Sequence, residues 1–250
     1  PVMSDFRQSD MAAGGEGAPI VPFGDLKLYG KAGVNRAVHN LGGISNLTFL
    51  PADLDPGKVI AFDTGPANCL IDEAAERFLG QPLDLDGAAA ARGTVNTELL
   101  AKLLAHPYLQ LPAPKTTGRE VFTLDVIMPE TGSAELAAGL SSNDLIATLT
   151  AFTAHSVALA YSQLPVRPDE LLVAGGGSFN PVLMRLLKEQ LPFPVRTFSE
   201  AGLDARDREA LAFGVMAYYG WHGHANTLPG ATGARHAVAA GKLLRPLVTG

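Results

Sequence analysis

The chain has 250 residues, 47% of them hydrophobic and 18% charged, with 27 glycines and 18 prolines. That apolar content excludes a disordered or collagen-like protein, since a chain of this length buries roughly 70–75% of its unfolded surface. A net charge of −6, with no run of Lys or Arg, excludes the cationic footprint that grips a nucleic acid backbone.

The chain opens on Pro1-Val2-Met3, with no basic region followed by an apolar stretch, so it is expected to begin within a longer protein. Residues 1–33 carry Gly14-Gly15-Glu16-Gly17 and keep no sustained period, which predicts loops around a short connector. Strands are expected at Arg36–Leu41 and Ser45–Leu50, joined by the hairpin signal Gly42-Gly43, with a third at Lys58–Asp63. Pro66 then reads as the first-turn proline of a helix whose buried face is Leu70, Ile71, Ala74, Ala75 and Phe78, stopped by Gly80. Residues 81–141 read as an insertion with one clear helix, capped by Asn96 and faced by Leu99, Leu100, Leu103 and Leu104, and loop elsewhere. Ser142 or Asn143 opens a long helix with the stripe Leu145, Ile146, Leu149, Phe152, Val157, Ala160 and Tyr161, ended by Pro165. A buried-type strand, Glu170–Ala174, runs into Gly175-Gly176-Gly177, and Asn180-Pro181 caps the next helix. A strand near Val195–Phe198 and a helix over Arg206–Trp221 complete the pattern. Hairpin-joined strands followed by crossover helices predict an α/β fold with a mixed sheet and helices on both faces.

The single cysteine, Cys69, excludes an intrachain disulfide and a Cys-only zinc site, and fits a reducing cytoplasm. Apolar stretches are interrupted within about a dozen residues, short of the ~20 that span a bilayer, so no membrane partner is expected. Walker, Rossmann, zincin and serine-hydrolase motifs do not occur. Asp84-Leu85-Asp86-Gly87 resembles part of a calcium loop, but Gly93 stands where the bidentate Glu belongs, and His222 and His224 lack a third zinc ligand.

Three glycine-rich turns remain. Such turns aim backbone N–H groups at one point, and a helix N-terminus adds partial positive charge, so phosphate is held without lysine. Asn40-Leu41-Gly42-Gly43-Ile44-Ser45-Asn46 is either a phosphate turn with amides from Asn40 or Asn46, or a plain hairpin. Asp63-Thr64-Gly65-Pro66-Ala67-Asn68 puts Asp63 where it either positions metal, water or phosphate, or caps a helix. Gly175–Asn180 either admits a flat ligand or makes a tight strand-to-helix turn. By position alone, Asp10 is a solvated loop carboxylate.

Taken together, Asp5-Phe6-Arg7-Gln8-Ser9-Asp10-Met11-Ala12-Ala13-Gly14-Gly15-Glu16-Gly17-Ala18-Pro19, the three turns, and Lys115-Thr116-Thr117-Gly118-Arg119-Glu120 resemble the anhydro-N-acetylmuramic acid kinase family. The resemblance runs in order over essentially the whole chain. It implies the sugar kinase, Hsp70 and actin superfamily, with a ribonuclease H-like lobe at residues 34–250, an insertion at about 81–141, and an inter-lobe segment at 1–33. It also implies an ATP-dependent kinase that opens the anhydro sugar with water and phosphorylates O6, in the cytoplasm, with magnesium. Asp10 matches the general base and Glu209 a carboxylate near the metal. Asn40, Gly42, Gly43, Asn46, Asp63 and Gly65 fall to the phosphates, and Gly175, Gly176, Gly177 and Asn180 to the nucleoside. The family's N-terminal Gly-Thr-Ser-x-Asp-Gly hairpin has no counterpart in this sequence, so the chain is expected to be a C-terminal portion with little activity alone and an apolar face that promotes homodimers. The alternatives are a non-catalytic nucleotide- or sugar-binding module and another amino-sugar kinase of the same superfamily.

Overall fold

Alternating apolar residues, glycine punctuation and capping side chains set the elements of the computed structural model, which describes residues 1–244. The first half runs β1 (Val2–Ser4), α1 (Phe6–Ala12), α2 (Val21–Tyr29), β2 (Arg36–Leu41), β3 (Ile44–Leu50), β4 (Ile60–Pro66) and α3 (Cys69–Leu79). The insertion follows with α4 (Ala88–Arg92), α5 (Thr97–Leu104), α6 (Pro107–Gln110), α7 (Leu124–Glu130) and α8 (Ala134–Ala138). The remainder is α9 (Ser142–Ser162), β5 (Glu170–Ala174), α10 (Pro181–Gln190), β6 (Val195–Thr197), α11 (Arg208–Trp221), α12 (Pro229–Thr232) and β7 (Lys242–Leu244).

The five-stranded sheet has the order β4-β3-β2-β5-β6, with β2 and β3 joined by the two-residue turn and β5 parallel to β6. Hairpin-joined strands on one side and crossover strands on the other make a mixed sheet. The described residues divide into two compact units. Unit 1 holds Pro1–Val38, Thr48–Phe62 and the chain from Asp204 onward, and unit 2 holds His39–Leu47 and Asp63–Leu203.

In unit 2 the core gathers Leu70, Ile71, Leu99, Leu103, Phe122, Ile127 and Phe152, all buried, each side chain contributing about 1.5–3 kcal/mol by leaving water. Asn96 and Ser141 accept hydrogen bonds from the first-turn amides of α5 and α9, as capping chemistry requires. Helix α9 is long and apolar enough to cross a membrane by length and composition, contrary to the expectation of short apolar stretches only, and 78% of its apolar window is buried inside the protein. In unit 1, α2 and α11 approach so closely at Gly24 that any Cβ there would overlap Ala212. The rings of Phe23 and Tyr219 meet edge-on at 5.1 Å beside that contact.

Several expectations need correction. Residues 1–33 are not loop: they carry α1, which buries only Phe6 and Asp10, and α2, which is mostly buried, and both are too short for a period to register. The insertion holds five helices, not one, because four of them span only four to seven residues. Pro66 closes β4 instead of opening a helix, and α3 starts at Cys69 after Asn68. Phe78 is 47% exposed and lies off the buried face of α3, beside a cavity of about 490 Å³.

Candidate active site

In unit 2 the sequence-predicted glycine turns converge. The carbonyls of Gly42 and Gly43 accept hydrogen bonds from the backbone of Ala67, Asn68 and Cys69 at 2.9–3.1 Å, which docks the β2–β3 hairpin on the N-terminus of α3. The Asn68 amide reinforces this dock by donating to Leu41 O at 2.9 Å and Gly42 O at 2.7 Å. Gly175 leaves β5 at φ 85, ψ 171, a conformation open essentially only to glycine. A Cβ there would stand 2.7 Å from both Leu41 O and Asn40 Oδ1, so the third turn lies directly on the first. Gly177 is equally confined, 2.7 Å from Leu41 Cβ, whereas Gly176 meets nothing nearer than Asn68 Nδ2 at 3.7 Å. The three glycines therefore do different work: Gly175 lets backbone touch backbone, Gly177 clears the Leu41 side chain, and exposed Gly176 has room for a Cβ.

Asn180 spends its side-chain oxygen on the amides of Val182 and Leu183, at 3.0 and 3.1 Å, as the cap of α10. At Gly65, held at φ +134, an added Cβ would stand 3.0 Å from Leu109 Cδ2, so its missing side chain serves packing. Asn46 is half-buried on β3. The capping alternative for Asp63 fails, because the residue sits within β4 and the cap position of α3 is Asn68. The Asp63 carboxylate instead accepts from Thr116 Oγ1 and Thr117 N, both at 2.9 Å, while its backbone N–H donates to Lys115 O and its carbonyl accepts from Tyr108 Oη. Burial raises its pKa against the pull of those two donors. Cys69, partly buried at the start of α3, has its thiol pKa pushed up to about 11 by burial.

Unit 1 holds the carboxylates. Asp10 lies on α1, not on a loop, and is wholly buried. One carboxylate oxygen accepts from Gly17 N at 3.0 Å and the other from Thr232 Oγ1 at 2.8 Å. Gly15 is required beside it, since a Cβ there would run into the carboxylate. Glu209 is exposed in the first turn of α11.

Sequence reasoning missed the neighbouring pair. Arg208 grips Asp25 in two parallel hydrogen bonds, Nε to Oδ1 at 3.0 Å and Nη2 to Oδ2 at 2.5 Å, with Thr48 Oγ1 adding a third at 3.1 Å. Burial pushes the Asp25 carboxyl pKa up, while the guanidinium pulls it down. The only available signal was Arg208 beside Glu209 at a helix start, because its partner lies 183 residues away. Asp84, tested as a calcium ligand, instead accepts from the amides of Ala89 and Ala90 at the start of α4. Among the described residues no group of three or more His, Cys, Asp or Glu is placed to hold a metal ion by itself.

A family model described as anhydro-N-acetylmuramic acid kinase matches residues 1–246. The anhydro-N-acetylmuramic acid kinase of Streptomyces avermitilis is 48% identical over 243 residues, covering 94% of this chain and 59% of that protein. The protein of the same name from Salinibacter ruber is 44% identical over 251 residues, covering 98% and 63%. That of Caldanaerobacter subterraneus subsp. tengcongensis is 41% identical over 250 residues, covering 96% and 62%. The chain thus spans 59–63% of the length of these curated relatives.

Proposed function

Because this chain belongs to the anhydro-N-acetylmuramic acid kinase family, we propose that the whole protein is an ATP-dependent kinase of cell-wall recycling. It opens the 1,6-anhydro ring of anhydro-N-acetylmuramic acid with water and phosphorylates O6, giving N-acetylmuramic acid 6-phosphate and ADP. The bonds balance: a water oxygen joins C1 as its proton passes to Asp10, the C1–O6 bond breaks, and O6 takes the γ-phosphoryl group while ADP departs.

The observation that carries this reading is the seating of Gly175–Gly177 on Asn40–Leu41, beside the hairpin docked on α3. Phosphoryl transfer needs positioning and charge stabilisation more than covalent help, and glycine turns that let a ligand approach backbone N–H groups supply both. The hairpin turn then holds phosphate and the Gly176 space admits the nucleoside. Asp10 suits a base: each oxygen takes one protein donor, which fixes the carboxylate while leaving lone pairs for the water proton. Magnesium in kinases draws most of its ligands from phosphates and water, with one or two carboxylates, so the lone exposed Glu209 fits as such a ligand. Bound there, the cation would neutralise phosphate charge. ATP as substrate places the reaction in the cytoplasm.

The test is ADP release by the whole gene product with the anhydro sugar, and the product mass. Asp10→Asn is expected to lower turnover by about 10²–10⁴-fold while leaving ATP affinity nearly unchanged. Turnover that survives the substitution contradicts the assignment of the base.

A further inference from the structure

The loop Lys115-Thr116-Thr117-Gly118-Arg119-Glu120 is held in place by contacts with β4 and α6. Its start is fastened to β4 through both faces of one residue. Asp63 receives Thr116 Oγ1 and Thr117 N on its carboxylate and donates its own N–H to Lys115 O at 3.0 Å. Lys115 Nζ is in turn drawn to the carbonyls of Tyr108 and Leu109, and the Tyr108 hydroxyl closes the ring by donating to Asp63 O at 2.7 Å. Thr117 Oγ1 is buried with no hydrogen-bond partner among the described residues, a polar atom left unsatisfied in the middle of this anchored loop.

What the anchoring delivers is Arg119. Its guanidinium lies against Gly43, with Cζ 2.5 Å from where a Cβ would stand and Nε and Nη2 closer still. A side chain at position 43 would displace the guanidinium from this seat. Among the described residues the Arg119 guanidinium makes no hydrogen bond or ion pair. Asp72, on the first turn of α3, feels its charge without contacting it. A guanidinium has five N–H donors in a fixed fork that matches phosphate oxygens two at a time. An exposed cation with those donors uncommitted, carried by an anchored loop and resting on the turn read as the phosphate site, is complementary to a terminal phosphate.

We infer that Arg119 contacts the terminal phosphate of the bound nucleotide and stabilises the charge on the phosphoryl group in transfer, with Asp63 as the positioning residue that aims it. This rests on the reading of Gly42-Gly43 as a phosphate turn. In this reading Asp63 serves the loop through Oδ2, which takes both the Thr116 and Thr117 donors.

The test measures calorimetric affinity for ATP, ADP and AMP, with turnover alongside, in wild-type protein, Arg119→Ala, Asp63→Ala and the double variant. Arg119→Ala is expected to weaken ATP by about tenfold or more, as loss of charge-assisted hydrogen bonds implies, ADP less, and AMP not at all. Turnover should fall further than ATP affinity. Asp63→Ala should lose the same preference for ATP over AMP, and should cost no additional preference once Arg119 is absent. A merely structural role for either residue would weaken all three nucleotides alike, and that result overturns the inference. Unchanged ATP affinity and turnover in Arg119→Ala overturns it as well, while leaving the nucleotide reading intact. Wild-type protein that binds none of the three nucleotides overturns both.

Discussion

The glycine turns of unit 2 and the carboxylates of unit 1 are built on opposite principles. The turns at Gly42-Gly43 and Gly175–Gly177 are specified locally: the residues that must lack a side chain stand next to one another, and the strands that deliver them alternate as strands should. Asp10 and Asp25 are specified at long range, by Thr232 across 222 residues and Arg208 across 183. Binding elements that use backbone can be written in a few consecutive letters, whereas a buried charge needs partners that only the folded chain assembles.

The comparison predicts that the long-range pair is the more costly to break. Arg208→Ala leaves Asp25 buried and uncompensated, and should cost about 3–5 kcal/mol, visible as a large fall in the denaturation midpoint. An effect below about 1 kcal/mol would mean that the pair is solvated in solution, as exposed pairs are. Gly175→Ala comes next, at about 1–3 kcal/mol, since alanine must adopt a conformation reserved for glycine while pressing on Leu41 O. ATP affinity should fall with it, and a variant of unchanged stability and affinity would separate the two turns. Asn180→Ala removes a helix cap and should cost about 1 kcal/mol with nucleotide affinity little changed, because the side chain already serves α10. The smallest effect is chemical: with its thiol pKa pushed up to about 11, Cys69 should alkylate slowly at neutral pH, and rapid labelling in the native state would place it in a more open setting.

The same contrast explains what could be read in advance. The hairpin, the Asn96 and Asn180 caps and the stripe of α9 were all legible, because each is a local pattern of three to twenty residues. The short helices α1, α2, α4 and α6 to α8 were not. Several complete barely two turns, and α2 is apolar nearly all round, with Pro22, Phe23, Gly24 and Leu26 buried together, so no stripe emerges. Asp10 illustrates the limit most sharply. Its surroundings, Gly14-Gly15-Glu16-Gly17, read as an open loop, yet those glycines let the backbone fold over the carboxylate and Gly17 donate to it. Asp63 was ambiguous for the same reason: standing before a helix, it read either as a group positioning metal, water or phosphate or as a cap, and its observed carboxylate partners are in a loop more than fifty residues on.

Hydrogen–deuterium exchange with a non-hydrolysable ATP analogue tests the central claim most directly. Exchange should slow together at residues 41–43, 67–70 and 175–178, and stay unchanged across Leu124–Leu140, which lines the separate cavity. Protection at only one of the two turns, or at neither, would contradict a shared nucleotide pocket.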